Sequence, residues 1–250
     1  MLSKEKILEI LQKNEQNIAN NDWEKVYESI DDFDRGDFSI FLAENDIDLN
    51  TLFRKYVPSH AFERVESITQ FQLQKSVRSI HNTAFRLCEN LQSIDIPDSV
   101  KEIGSHCFGY CTGLTDIRIP QGVKVLNNYT FIRCSNLATI DIPESIIYIG
   151  TSCFTLCESL TGINLPKSLT VIMNECFSDC KKLSNIDLSN IKNIGRLAFT
   201  RSGITTADLR NLDSVEEFCF NGCKDLQTVK LSNKLKHLKK SVSLDAVISR

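Results

Sequence analysis

Residues 98–120 read Asp-Ser-Val-Lys-Glu-Ile-Gly-Ser-His-Cys-Phe-Gly-Tyr-Cys-Thr-Gly-Leu-Thr-Asp-Ile-Arg-Ile-Pro, and variants of this 23-residue segment fill most of the chain. Leu114 leads into an alternating pair, Ile117 and Ile119, which predicts a short strand with its apolar residues facing inward. Pro120 closes this strand because proline cannot donate a hydrogen bond to a β-ladder.

A second extended segment precedes the phenylalanine of the same unit. Val100 and Ile103 are followed by Gly104, a pattern that predicts a short strand ending in a turn. Around Phe108 we expect a turn, or a single helical turn, that carries the aromatic ring inward. Each unit therefore consists of two short strands and one turn.

The phenylalanine recurs at a nearly constant interval, which is 23 residues at first, then 22 and finally 21. An aliphatic residue lies five or six positions after each phenylalanine, and another lies five positions before it. Because a unit this short cannot bury its own apolar face, the copies must stack into a solenoid. The phenylalanines of this column are Phe62, Phe85, Phe108, Phe131, Phe154, Phe177, Phe199 and Phe220.

The pattern Leu-x-x-Ile-x-Ile-Pro-x-x-Val-x-x-Ile-Gly-x-x-x-Phe-x-x-Cys resembles the BspA-type leucine-rich repeats, over residues 57 to about 240. The resemblance implies a leucine-rich-repeat solenoid of about seven units, and it implies a binding role, commonly that of an adhesin or interaction module. We accordingly divide the chain into a helical N-terminal domain, residues 1–56, and a solenoid, residues 57–250, with a truncated last repeat.

The ten cysteines fall into two columns of the repeat, directly before the phenylalanine and three residues after it. In both columns some repeats have Ala, Ser, Thr or Val in place of cysteine, which is typical of a tight internal packing position. We therefore predict buried free thiols. The alternatives are disulfides, or zinc held by Cys-x-x-x-Cys pairs such as Cys107/Cys111 and Cys153/Cys157.

Charge is distributed unevenly along the chain, although the net charge is only −3. Residues 1–56 hold 13 Asp/Glu against 7 Lys/Arg, whereas residues 57–250 hold 19 against 22. The whole chain lacks a basic nucleic-acid footprint, and its end alone is locally basic, at Lys230, Lys234, Lys236, Lys239 and Lys240. The first residues show no apolar signal segment and no stretch is long enough to span a membrane, so we expect a cytosolic protein.

The N-terminal domain is predicted to be a small four-helix cap. Residues 4–20 place Ile7, Leu8, Leu11 and Ile18 on one helical face, behind an N-cap at Ser3. Residues 23–30, behind Asp22, have Trp23, Val26, Tyr27 and Ile30 at helical spacing. Two shorter helices are expected over residues 38–44 and 49–56, introduced by Asp37 and Asp48.

Acidic residues cluster in the second half of this domain. A calcium loop beginning at Asp46 fails because Thr51 stands where glycine is needed and Val57 where a bidentate glutamate is needed. Helix capping with a solvated loop, or docking to a basic partner, explains the cluster better. Its members are Asp31, Asp32, Asp34, Asp37, Glu44, Asp46 and Asp48.

No sequence motif points to catalysis or to a cofactor. The histidines His60, His81, His106 and His237 match no His-Glu-x-x-His or triad pattern, and phosphate-binding loops and nucleophile motifs are absent. We therefore expect a protein that is not an enzyme.

Two outward surfaces of the repeats are candidate binding sites. The strand expected on the concave side exposes a polar, mildly acidic face without aromatic residues, which disfavours single-stranded nucleic acid. Its members are Asp95, Asp116, Arg118, Asp141, Asn164, Asn185, Asp187 and Asp208. The other strand, on the convex side, carries an apolar patch of Val125, Ile147, Tyr148 and Val171. Such patches mark interfaces when flanking turns do not cover them.

Three functions fit the sequence. The first is a cytosolic protein-binding module acting through the repeat surface. The second is an inhibitor, encoded by a mobile element or pathogen, that blocks a nucleic-acid enzyme with residues 31–48. The third is the secreted adhesin that the resemblance implies.

Overall fold

Two short strands in each repeat build two parallel ladders. The computed structural model describes residues 2–231 and the backbone of residues 247–249. We call the side formed by the first strand of each repeat the A face. Its strands are β1 (Tyr56–Val57), β3 (Ser79–Ile80), β5 (Glu102–Ile103), β7 (Val125–Leu126), β9 (Tyr148–Ile149), β11 (Val171–Ile172), β13 (Asn193–Ile194) and β15 (Ser214–Val215).

The second strand of each repeat forms the B face. Its strands are β2 (Gln70–Gln72), β4 (Ser93–Asp95), β6 (Asp116–Arg118), β8 (Thr139–Asp141), β10 (Gly162–Ile163), β12 (Asn185–Ile186), β14 (Thr206–Leu209), β16 (Thr228–Leu231) and β17 (Val247–Ser249). Pairing is parallel and in repeat register: Ile117 lies opposite Ile140. Each repeat position therefore forms a row along the solenoid, with successive members about 4.8 Å apart.

The third side, which we call the turn face, has an unusual backbone. The residues two positions before and two positions after each column phenylalanine have positive φ, for example Tyr129 at 61° and Arg133 at 58°. Because of these positive φ angles, the N–H groups of Phe131 and Arg133 both point toward the next repeat and donate to its carbonyls, at 2.9 and 2.8 Å. Each left-handed residue costs about 1–2 kcal/mol, which the hydrogen bonds and the buried ring offset.

The phenylalanine column forms the core of the solenoid. All eight rings are fully buried. From Phe85 to Phe220 each ring stacks on the next, with centroids 5.3–5.6 Å apart. The predicted repeat phase is confirmed. Counting the turn of Phe62, the described part of the solenoid has about eight turns, one more than the seven predicted.

Four helices precede the solenoid: α1 (Lys4–Lys13), α2 (Glu15–Ala19), α3 (Trp23–Glu28) and α4 (Arg35–Glu44). Aromatic contacts join them to the phenylalanine column. Tyr27 packs against Phe38 and Phe53, and Phe53 packs against Phe62 at 5.5 Å. Helices and repeats therefore share one continuous core.

Helix α4 covers the carbonyl groups that the first turn directs away from the rest of the solenoid. Arg35 Nη1 donates to the Ser59 carbonyl at 3.0 Å, and Ser39 Oγ donates to the Ala61 carbonyl. Gly36 lies against the Glu63 carbonyl, where a Cβ atom would stand only 2.2 Å from the oxygen. The helical region thus supplies hydrogen-bond donors to the carbonyl groups of the first turn. In later turns the preceding repeat supplies these donors.

Several predictions about the helices are wrong in detail. The predicted helix over residues 4–20 breaks at Asn14, a buried residue whose amide donates to the Ile10 carbonyl and to Ser29. Leu8 is half exposed, and Ile10 is buried in its place. Asp22 is paired with Lys25 at 2.7 Å and its side chain does not cap α3.

The last two predicted helices also differ. Asp37 lies inside the first turn of α4, which begins at Arg35. The expected helix over residues 49–56 is a single 3-10 turn, Leu49–Thr51, capped by Asp48 as predicted. Tyr56 instead begins β1, because Glu24 Oε1 accepts hydrogen bonds from the Arg54 and Lys55 N–H groups, each at 2.8 Å, and directs this segment onto β3.

Candidate binding surfaces

The predicted apolar patch lies on the A face, and its centre is exposed. Ile147 is 60% exposed and Tyr148 37% exposed, whereas Val125 and Val171 are half-buried beside them. Val125 lies directly opposite Tyr148 in the ladder. The flanking turns therefore leave the centre of this patch open to solvent.

A row of basic residues leads to this patch and was missed in the sequence. Seven positions before the column phenylalanine stand Lys55, Arg78, Lys101 and Lys124, all exposed, and Ile147 is the next member. Backbone hydrogen bonds join the row, from Arg78 N to the Lys55 carbonyl and from Lys101 N to the Arg78 carbonyl, both 2.7 Å. The signal was present in the repeat, because each cation recurs after 23 residues.

A groove of about 760 Å³ opens beside the basic row, where the A face meets the turn face. Gly104 and Gly122 lie in its wall, together with Lys101 and Lys124. His81 also lines it, stacked on the Tyr56 ring at 4.9 Å, and burial lowers the pKa of its imidazole. The groove therefore combines the ammonium groups of Lys101 and Lys124 with the imidazole ring of His81.

The predicted polar surface lies on the B face. Its residues Asp95, Asp116, Arg118, Asp141, Asn164, Asn185, Asp187 and Asp208 are all exposed. Shallow depressions flank Asp95 to Arg118 and Asn164 to Asp187. Neighbours neutralise part of the charge: Arg118 pairs with Asp98 at 2.9 Å, and Arg210 with Asp208 at 2.6 Å, which lowers the pKa of Asp208.

The acidic residues of the N-terminal domain do not form one patch. Asp31, Asp32 and Asp34 lie before α4, where Asp34 pairs with Lys6 at 2.5 Å and Asp32 pairs with Arg35. Asp37 follows in the first turn of that helix. The rest lie at or beyond its other end, about 15 Å away for a helix of this length: these are Glu44, Asp46 and Asp48.

The turn face carries an aromatic and cationic cluster that sequence reasoning also missed. The guanidinium groups of Arg86 and Arg133 lie over the Tyr110 ring at 5.3 and 5.5 Å. His106 and Tyr129 stack beside each other at 4.5 Å. Residues of these types are frequent at interface hot spots, although here they largely contact one another.

The cysteines are all buried, as predicted, and all are free thiols. Those three residues after the phenylalanine donate to the phenylalanine carbonyl of the preceding repeat: Cys134 Sγ to Phe108 at 3.1 Å is one example. Across the described residues, no group of three His, Cys, Asp or Glu side chains is arranged to hold a metal ion.

The repeat geometry agrees with comparisons to known proteins. A family model described as the BspA type leucine-rich repeat region, in 6 copies, matches residues 55–181 and 148–245. The chain belongs to the BspA-type leucine-rich-repeat family. No curated protein matches it.

Solved structures of bacterial leucine-rich-repeat proteins resemble this BspA-type chain. The T. pallidum leucine-rich-repeat protein is 25% identical, with a TM-score of 0.55 over 69% of this chain and 71% of that one. A protein from Eubacterium ventriosum is 21% identical, with a TM-score of 0.48 over 73% and 59%. A cell surface protein from Faecalibacterium prausnitzii is 19% identical, with a TM-score of 0.40 over 74% and 72%.

The histidines of this BspA-type chain that the structure describes each contact a different side chain. His60 pairs with Glu63, His81 stacks on Tyr56 and His106 stacks on Tyr129. His237 and the basic residues Lys234, Lys236, Lys239 and Lys240 lie outside the described residues, whereas Lys230 is exposed on β16. Among the helices of the described part, none has the length and apolar character needed to cross a bilayer.

Proposed function

We propose that this chain is a non-enzymatic protein-binding module that docks its partner on the A face, with Ile147 and Tyr148 at the centre. The exposure of these two adjacent side chains on a rigid ladder carries the proposal. A tyrosine on a rigid strand has only two side-chain torsions to order on binding, and buried aromatic anchors contribute much of the energy of an interface.

The other surfaces support binding less well. The carboxylates Asp32 and Asp34 of the N-terminal domain are already engaged by Arg35 and Lys6, and the acidic set is divided between the two ends of α4. The B face is polar, and neighbouring side chains offset part of its charge. Polar surfaces of this kind contribute more to association rate than to affinity.

The test is affinity capture from the source cell, followed by binding measurements with the recovered partner. Tyr148→Ala should weaken binding by at least ~1–2 kcal/mol while the fold is retained. Leu8→Ala is the matched control, because it removes an exposed apolar side chain from α1. Unchanged affinity with Tyr148→Ala, together with loss of binding on exchange of Asp31 and Glu44 for their amides, would place recognition in the N-terminal domain.

A further inference from the structure

The basic row gives the A face a strong local charge. Lys55, Arg78, Lys101 and Lys124 follow one another in four successive repeats, and all are exposed. Within the described part of the chain, none of the four has a carboxylate at ion-pair distance. The neighbouring outward row supplies one carboxylate over these repeats, Glu102, and helix α3 places Glu24 and Glu28 near the Lys55 end of the row. The charges of Arg78, Lys101 and Lys124 are therefore available to a partner.

The row and the apolar patch are parts of one continuous track. Ile147 occupies the same repeat position as the four cations, and Tyr148 stands next to it in the adjacent row. With repeats about 4.8 Å apart, the track from Lys55 to Ile147 is roughly 19 Å long. An extended peptide rises about 3.3 Å per residue, so about six residues cover this distance.

Resting on the proposed function above, we propose that the partner presents an acidic, extended segment followed by an apolar side chain. Carboxylates of the segment pair with the basic row, and the apolar side chain packs on Ile147 and Tyr148. Charge complementarity selects and steers the partner, while the apolar contact holds it.

A polypeptide fits this track better than a nucleic acid does. A nucleic-acid strand carries a charge at every nucleotide, so its binding surface needs cations along the whole path. Here the cations are interrupted at the fifth and sixth positions, where Ile147 and Thr170 stand before Lys192 and Asp213, and the net charge of the chain is −3. An apolar end to a cationic track instead matches the mixed side chains of a peptide.

The test uses fluorescein-labelled synthetic peptides and fluorescence anisotropy with the full chain. The probe peptide has a run of glutamates followed by Leu-Trp. One control peptide replaces the glutamates with glutamines, and a second replaces Leu-Trp with Ala-Ala. The protein variant carries Arg78→Gln, Lys101→Gln and Lys124→Gln. Its matched control carries Lys167→Gln, Lys182→Gln and Lys224→Gln, which remove the same charge from exposed positions outside the row.

The row variant should bind the glutamate peptide about tenfold more weakly at low ionic strength, whereas the control variant should stay within about twofold. The difference should shrink at about 0.15 M salt, where exposed charges are screened. The glutamine peptide should bind weakly to every form of the protein. Equal affinity for the glutamate and glutamine peptides, or equal loss in both variants, overturns the proposal.

Two further outcomes separate this inference from the proposed function. Dependence on Leu-Trp and on Tyr148 without dependence on the glutamates supports the A-face site and overturns the acidic segment. A labelled oligothymidylate that binds as tightly as the glutamate peptide, and is lost in the row variant, also overturns the acidic segment, because the row would then be a nucleic-acid surface.

Discussion

At the scale of single residues, the phenylalanine column supplies the largest side chains of the solenoid core. Phe131 is fully buried between Phe108 and Phe154, with both ring centroids at 5.5 Å. Phe131→Ala should lower the free energy of unfolding by about 3–5 kcal/mol, because it removes a large side chain and leaves a cavity between two repeats. Urea unfolding followed by circular dichroism measures this loss.

The matched control is an outward residue in another repeat. Asn164 is exposed on the B face, and Asn164→Ala should change the free energy of unfolding by less than about 0.5 kcal/mol. Similar losses in the two variants would contradict the assignment of inward and outward positions.

The buried thiols make stability depend on alkaline pH. Burial raises the pKa of the Cys153 thiol to about 12, from an ordinary value of about 8.5. Below pH 8.5 the thiol is protonated in the folded and unfolded states, and its contribution is complete. Between pH 8.5 and 12 only the unfolded state ionises, so the free energy of unfolding falls with rising pH by about 1.4 kcal/mol per unit for each such thiol.

Cys153→Ala should therefore reduce the slope of the free energy of unfolding against pH in the alkaline range by the contribution of about one proton. Alanine is a suitable replacement because it stands at the same repeat position in Ala61, Ala84 and Ala198, all fully buried. Unfolding measured from pH 7 to 10.5 gives the slope for both proteins. An unchanged slope would show that the Cys153 thiol ionises equally in the folded and unfolded states.

At the scale of elements, α4 stands in for a preceding repeat. Ser39 is fully buried, where it donates to the Ala61 carbonyl and also contacts the Tyr27 hydroxyl. Ser39→Ala removes a partner from both buried groups and should cost about 1–3 kcal/mol. Ser67→Ala, at an exposed position, should cost less than about 0.5 kcal/mol in the same thermal unfolding assay. Equal costs would refute the capping role of Ser39.

At the scale of the whole molecule, the two strand faces separate acidic side chains from apolar anchoring. Asp141 and Asp187 lie on the B face, and Ile147 and Tyr148 lie on the A face. Because the proposed partner segment is acidic, Asp141→Asn combined with Asp187→Asn should raise the on-rate of the recovered partner at low salt and change its affinity by less than about twofold at 0.15 M salt. Surface plasmon resonance measures both. A large affinity loss at 0.15 M salt would move the binding site to the B face.

The repeat pattern predicts much of this fold because its period is regular. The inward positions Leu114, Ile117 and Ile119 and the cysteine columns follow from periodicity and small-residue exchange, and all are buried. The basic row has the same regularity, and scanning every outward position across repeats would have found Arg78 and Lys101. Local patterns are reliable here because each repeat meets only its own copies.

The positions where helices and strands end, and the exposure of the candidate binding residues, depended on contacts between residues that are distant in the sequence. Nothing near Tyr56 in the chain shows that Glu24 turns this segment into a strand, or that Arg35 and Ser39 meet the carbonyls of the first turn. Likewise, periodicity places Tyr148 facing outward, but only the packing of neighbouring repeats decides that Tyr148 is open while Val125 is half-buried. The amino-acid sequence by itself determined which residues face the core, because the same inward pattern recurs in every stacked repeat. The tertiary structure decided how the first turn is capped and which outward side chains are exposed, because both depend on contacts between segments of different sequence.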